Sequence, residues 1–344
     1  MLAMILKEFR QVRRDKRTLA MMIMLPIMLL IVFGYAARFD IPEIRTAVLG
    51  PAADQAARAL QEPFDVVEID PSATAETAET LLRDGDAVVA IVTGEDPTVY
   101  VDGTELFTAQ SALRRAGALP DDVAVEILFN PDLSTSAVMV PALIGLVLLA
   151  MGTVVTSLGV VRERQDGTLE QLAVMPLRPR DVIAGKIAPY FLVGLVDLAV
   201  ITIVGLWLFD VPFRGSVLAF AAGVFLFLFA VLGIGVLIST LSRTQGEAIQ
   251  LAIMTLLPQV LLSGMIFPLY SMPPGIRWIA YLLPLTYFTM IARGIFLKAT
   301  PLDALAFPYL ALVVLAVVVF GIAVLRFRRD LAPARSRPVE EVAA

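Results

Sequence analysis

Histidine and cysteine are absent from all 344 positions. Without cysteine there is no disulfide and no thiolate ligand; without histidine there is no imidazole metal site and no nucleophile–histidine triad. The usual proton relay near neutral pH is missing as well. Charge is also scarce: Asp, Glu, Lys and Arg make up 17% of the chain, against 58% apolar residues and a mean hydropathy of +0.82. A soluble domain carries about 25% charged and about 45–50% apolar residues, so this composition belongs to an integral membrane protein. The absences favour a conduit over a catalyst.

Long hydrophobic runs take the place of that chemistry. Six fit a membrane crossing, at 18–37, 137–161, 182–209, 217–241, 248–267 and 304–325; about 20 apolar residues cover ~30 Å of hydrocarbon. Pro26 predicts a kink in the first. A cleaved signal peptide is the rival for that run, but signal cores are shorter, roughly 7–15 residues. Ahead of it, residues 1–17 set Leu2, Ile5, Leu6, Phe9 and Val12 at helical spacing among six basic residues. That fits an amphipathic helix lying on anionic lipid or a plain charge cluster before a span. The apolar stripe argues against a nucleic-acid-binding arm.

Residues 38–136 reverse the balance, with 19 acidic against 6 basic residues. Strands are predicted at 45–49, 64–69, 87–93, 98–101 and 123–129, and helices at 53–61, 74–83 and 106–116. Gly50-Pro51, Asp70-Pro71 and Asp102-Gly103 punctuate them as turns. The expected fold is therefore an α-helical membrane protein of six spans with an α/β domain inserted between the first two. Between the fifth and sixth spans, residues 268–301 are too broken for a crossing and too apolar for an open loop. With Pro268, Pro273, Pro284, Tyr287 and Arg293 they read as a re-entrant or interfacial hairpin. A basic, then polar tail occupies 326–344.

Positive charge sets the orientation. An inside N-terminus puts 17 of the 27 Lys and Arg in cytoplasmic segments; of the other ten, six lie in the large domain, where charge has little say in translocation. Both termini are then cytoplasmic and the acidic domain is extracytoplasmic, in a bacterial inner membrane.

The segment at 162–176 is charged yet lies between two spans. Hydrocarbon excludes it, since each charge at the bilayer centre costs about 2.5–3.5 kcal/mol. Leu169, Leu172 and Ala173 form an apolar stripe suited to a partner's groove, and Glu163, Arg164 and Glu170 flank it. Gly167 permits a turn, Thr168 a cap, and Pro176 an end. Spacing alone fits a docking helix or an ordinary solvated loop. Gly185-Lys186 is followed by Ile187 and preceded by Arg180 where a phosphate loop needs glycine, so the chain has no P-loop. Asp197, halfway along the third span, marks a translocation path or a structural hydrogen bond to a hydroxyl such as that of Thr202 or to a freed carbonyl. Gln259 and Ser263, which interrupt the fifth run, fit helix packing or the same path.

The motifs resemble those of type-2 ATP-binding-cassette (ABC) export permeases with a large extracytoplasmic domain. The resemblance rests first on Arg162, Glu163, Arg164, Gly167, Thr168, Leu169, Glu170, Gln171, Leu172 and Pro176, followed by Gly185-Lys186. It continues in SGMIFPLYSMP at 263–273, in Tyr281, Pro284, Tyr287 and Arg293, in DGT at 102–104 and in NPDL at 130–133. Glu105 and Ala142 depart from the pattern, where Asn and Gly are frequent. The resemblance implies a dimer of permeases in membrane lipid with two cytoplasmic ATPase subunits. ATP and magnesium would then sit on the ATPase, and this chain would bind no cofactor, metal or nucleic acid. The implied cargo is a hydrophobic or amphipathic compound, drug-like, lipid or peptide. A secondary transporter would show repeated halves and several intramembrane charges; a membrane sensor would need fewer spans.

Overall fold

The computed structural model describes residues 43–116, 123–166 and 179–331, together with Ile27. The first expected span and most of the 162–176 segment lie outside those residues.

The α/β domain forms because short β-branched runs alternate with helical stretches. Its elements are β1 (Ile44–Leu49), α1 (Ala53–Ala59), β2 (Phe64–Asp70), α2 (Ala75–Asp84), β3 (Val89–Val92), β4 (Thr98–Asp102), α3 (Leu106–Ala116) and β5 (Ala124–Leu128). The sheet order is β2-β1-β3-β4-β5. Its one antiparallel pair is β3–β4, with Val89 opposite Val101; the rest are parallel. Ala47, Leu49 and Ala90 meet Ala78 and Leu82 of α2 on one face, while Val99 and Val101 meet Ala109 and Ala112 of α3.

The helical part contains α4 (Thr135–Gln165), α5 (Pro179–Phe209), α6 (Val217–Leu241) and α7 (Gln245–Leu262). A 3₁₀ turn (Leu269–Ser271), α8 (Pro274–Ala280), α9 (Pro284–Arg293), a π turn (Gly294–Lys298) and α10 (Ala306–Leu331) follow. The Ser134, Ser216 and Thr244 side chains accept from backbone N–H groups in the first turns of α4, α6 and α7, filling donors that a helix start leaves open. Among the described residues four helices are long and apolar enough to cross a membrane, or five if the bent pair at 274–280 and 284–298 counts as one. The run expected at 248–267 is not in that set: α7 ends at Leu262, and Gln245, Glu247, Gln250 and Gln259 lower the hydropathy of its eighteen residues. The hairpin expected at 268–301 takes the form of that pair, bent by 78°.

Packing concentrates on α4, α6 and α9. The ring of Phe288 stacks on Phe227 at 4.5 Å and presses on Gly145, where an added Cβ would meet it at 2.3 Å. By contrast, only 6% of the apolar stretch of α5 is buried, leaving Leu192, Val196, Ile203 and Trp207 exposed. Such a face suits lipid or a neighbouring chain. Gly145→Val is expected to overpack the α4–α9 contact at a cost of about 1–3 kcal/mol, seen as a lower unfolding midpoint in detergent. Gly185→Ala, whose Cβ would meet nothing within 4 Å, should leave that midpoint unchanged or raised.

Candidate functional site

The polar residues gather at the two ends of α4. At its C-terminal end Arg162 and Asp166 face each other at 3.9 Å in the open, and Glu163 is half-buried. Arg164 turns inward and donates through Nη1 to the carbonyls of Ser239 (3.3 Å) and Ser242 (2.8 Å). Carbonyls at a helix C-terminus lack intrahelical partners and carry partial negative charge, so a guanidinium suits them. Gln245 Nε2 donates to Gln165 Oε1 at 3.1 Å. The start of the expected coupling segment is thereby tied to the ends of α6 and α7. Gly167, Thr168, Leu169, Glu170, Gln171, Leu172 and Pro176 lie outside the described residues.

Three residues were expected on a path. Asp197 sits half-buried midway along α5. The bond to Thr202, one of the structural explanations offered for it, is not made: the buried Thr202 hydroxyl has no hydrogen-bond partner among the described residues. Gln259 is 1% exposed, and its Oε1 accepts from Leu285 N at 3.3 Å. Pro284 opens α9 and brings no N–H, so this amide fills an open donor of the next residue. Ser263, also 1% exposed, ends α7 with its hydroxyl unpartnered among the described residues. The structure does not bring these three together.

The hairpin residues do converge. Pro268 and Pro273 start the 3₁₀ turn and α8, and Pro284 starts α9. The Tyr287 hydroxyl donates to Tyr281 O at 2.8 Å. Arg293 reaches back to Gly264 O (3.2 Å) and Met265 O (2.8 Å), closing the turn after α7.

At the N-terminal end of α4 the hairpin meets the α/β domain. Lys298 Nζ donates to Asp102 Oδ2 at 2.5 Å and to Leu82 O at 2.8 Å, with side chains 11% and 2% exposed. It also stands 5.5 Å from the Phe129 ring. Asp102 Oδ1 accepts from Thr104 N (2.9 Å) and Thr104 Oγ1 (2.7 Å). Asn130 Nδ2 donates to Gly103 O at 3.0 Å, while its Oδ1 accepts from Ser134 N, also at 3.0 Å. The DGT and NPDL motifs are thus one bonded unit at the head of α4. A side chain at 103 would strike Asn130 O at 2.6 Å.

Tyr270 completes this junction, bonding Thr108 and donating to Glu105 Oε2 at 3.4 Å. Burial raises the Glu105 carboxyl above its ordinary value, with Arg293 opposing the shift and Asp102 adding to it. Lysine 298 carried no signal of its own in the sequence. Among the described residues no group of three or more acidic side chains could hold a metal ion.

Lys298→Met is expected to cost about 3–5 kcal/mol by leaving Asp102 buried and unpaired. Adding Asp102→Asn, which keeps an acceptor for Thr104, should restore part of it in unfolding and proteolysis measurements. Glu105 gives a pH test. A carboxyl raised on folding contributes its stability in acid and loses it as pH rises through the folded value. The melting midpoint of Glu105→Gln should therefore exceed that of the parent at alkaline pH, and the gap should close below about 4.5.

The chain is 28% identical, over 96% of its length and 97% of the relative's, to the "Probable multidrug ABC transporter permease YbhS" of Escherichia coli K12. It is 32% identical over 61% of its length to the "Probable multidrug ABC transporter permease YbhR" of the same strain, covering 57% of that relative. The "ABC transporter G family member 20" of Dictyostelium discoideum matches at 30% over half the chain and 24% of the relative. A family model described as ABC-2 family transporter protein matches residues 16–325. Permeases of this kind are non-catalytic membrane subunits whose ATPase is a separate partner. With nine-tenths of its length inside that match, the chain belongs to the ABC-2 family of transporter proteins.

Proposed function

We propose that this chain is the permease of an ATP-driven exporter that moves a hydrophobic or amphipathic compound out of the cytoplasm or inner leaflet. The observation that carries the reading is the full-length likeness to a protein named as a multidrug permease, in a chain whose charged 162–176 segment lies between two apolar helices. Six helices cross the membrane in this reading, the polar α7 among them, with both termini inside and the α/β domain outside.

The 162–176 segment is the coupling helix. Leu169 and Leu172 seat in a groove of the ATPase, and Arg162, Glu163, Glu170 and Gln171 orient it. Arg164 joins it to α6, so a push on the segment loads two membrane helices at once. Two permeases form the pathway, as a homodimer or with a similar second permease, and the exposed face of α5 meets lipid or that second copy. ATP and magnesium bind the ATPase subunits; this chain holds no cofactor. Asp197 faces the pathway.

The chain co-produced with its ATPase in sealed vesicles should move an amphipathic dye only with ATP, and vanadate should abolish the flux. Leu169→Lys is expected to lower that flux at least about tenfold, the weight of one buried docking contact, with membrane insertion unchanged. Normal flux in that variant, or flux from the permease alone, contradicts the reading. Asp197→Asn should shift the pH dependence of flux, and an unchanged profile removes it from the path.

A further inference from the structure

A cavity of about 500 Å³ opens where the α/β domain meets the hairpin and the start of α10. That size lies within the roughly 300–1,000 Å³ of small-molecule sites, which favour domain interfaces. Its lining is mixed. Leu269, Met290, Leu305, Phe307 and Pro308 of the helical part carry no charge. Arg45, Arg83, Asp84, Asp102 and Glu105 of the α/β domain and Arg277, Arg293 and Lys298 of the hairpin are ionic, with a surplus of two positive charges among the lining residues.

Two further observations sharpen the charge. Burial raises both the Asp84 and Glu105 carboxyls above the ordinary carboxylate value. Ser263, Thr289 and Arg293, which all line the cavity, each keep a buried polar atom with no hydrogen-bond partner among the described residues. A buried donor left unmade costs about 1–3 kcal/mol, and an oxygen-rich group brought to this wall offers the acceptors it lacks. None of these residues is part of the 162–176 segment.

We propose that this cavity is a binding site for an anionic amphiphile, an acyl chain carrying a carboxylate or phosphate, with its acid on the arginine-lined wall and its chain on Met290 and Phe307. The proposal rests on the exporter reading and narrows its cargo to a class. A free fatty acid and an anionic phospholipid share the chemistry. A neutral drug lacks the acid, and a cationic one meets the wrong sign of charge.

The test uses the full chain in nanodiscs of phosphatidylcholine, labelled by light with a diazirine analogue of palmitate and mapped by mass spectrometry. Labels on the peptides holding Met290 and Phe307 that palmitate displaces and hexadecanol does not are the expected result. Displacement by phosphatidylglycerol as well identifies the lipid headgroup as an equivalent source; displacement by palmitate alone assigns the free acid. Ala304→Trp adds bulk to the cavity wall and removes no bond, and should cut the displaceable label at least about fivefold. Leu302→Trp, exposed and outside the cavity, should not change it. Arg83→Gln should weaken palmitate competition roughly fivefold, the scale of one charge-assisted contact. Equal displacement by hexadecanol, or full labelling of Ala304→Trp, overturns the site. Vesicle flux is read separately. ATP-driven flux without displaceable labelling sinks the site alone, and displaceable labelling without ATP-driven flux sinks the exporter reading alone.

Discussion

The buried ion pair between Lys298 and Asp102 is the constraint on which the arrangement of this chain depends. Taking two charges out of water costs several kcal/mol per ion, and attraction repays it only when the remaining donors and acceptors are filled. Here they are filled from both sides. Thr104 donates twice to the other oxygen of Asp102, and Lys298 has the Leu82 carbonyl as a second acceptor. Thr300 adds a bond to Arg83 O at 3.1 Å. The pair therefore fixes register more than it adds stability: it forms only when the π turn at the end of the hairpin and the last residue of β4 stand at one relative position. The chain reverses directly after Lys298, where Ala299 adopts a left-handed backbone at φ 51°.

The same constraint explains which features the sequence made legible. Pattern was enough for the elements of the α/β domain, because the helices alternate faces while β1 and β3 are short apolar runs, with no exposed residue, bounded by turns. The run at 217–241 was legible from hydropathy: it starts after Ser216 and is uniformly apolar up to Ser239 and Thr240. The last part of the 248–267 run was not. Its apolar residues 265–267 pack onto the hairpin around Leu261 and Met272, and hydropathy does not separate a residue buried against protein from one facing lipid. Gln259 was readable as packing or as a path; it serves the open first-turn N–H of Leu285, 26 positions later, a relation no local window contains. The partners of Lys298 lie 196 and 216 residues away, so nothing short of the fold could pair them.

Both groups of motifs are joined by a single element. Helix α4 runs 31 residues from Thr135 to Gln165, about 46 Å at 1.5 Å per residue. Its first turn is bonded to Asn130, which holds the DGT loop and with it Asp102. Its last turn carries Arg164, bonded to the end of α6. Between them, Gly145 lies against Phe288 of the hairpin arm that leads to Lys298. The helix thus touches the hairpin at mid-length and the α/β domain at its head. A helix packed this closely transmits displacement instead of absorbing it, since interiors at this density have few soft voids. Pro141 is the one interruption, and it falls in the second turn, beside the junction rather than in the shaft. A motion applied at Arg164 therefore reaches the cavity wall through one rigid body, and the hinge that could divide it lies next to the residues that would have to move.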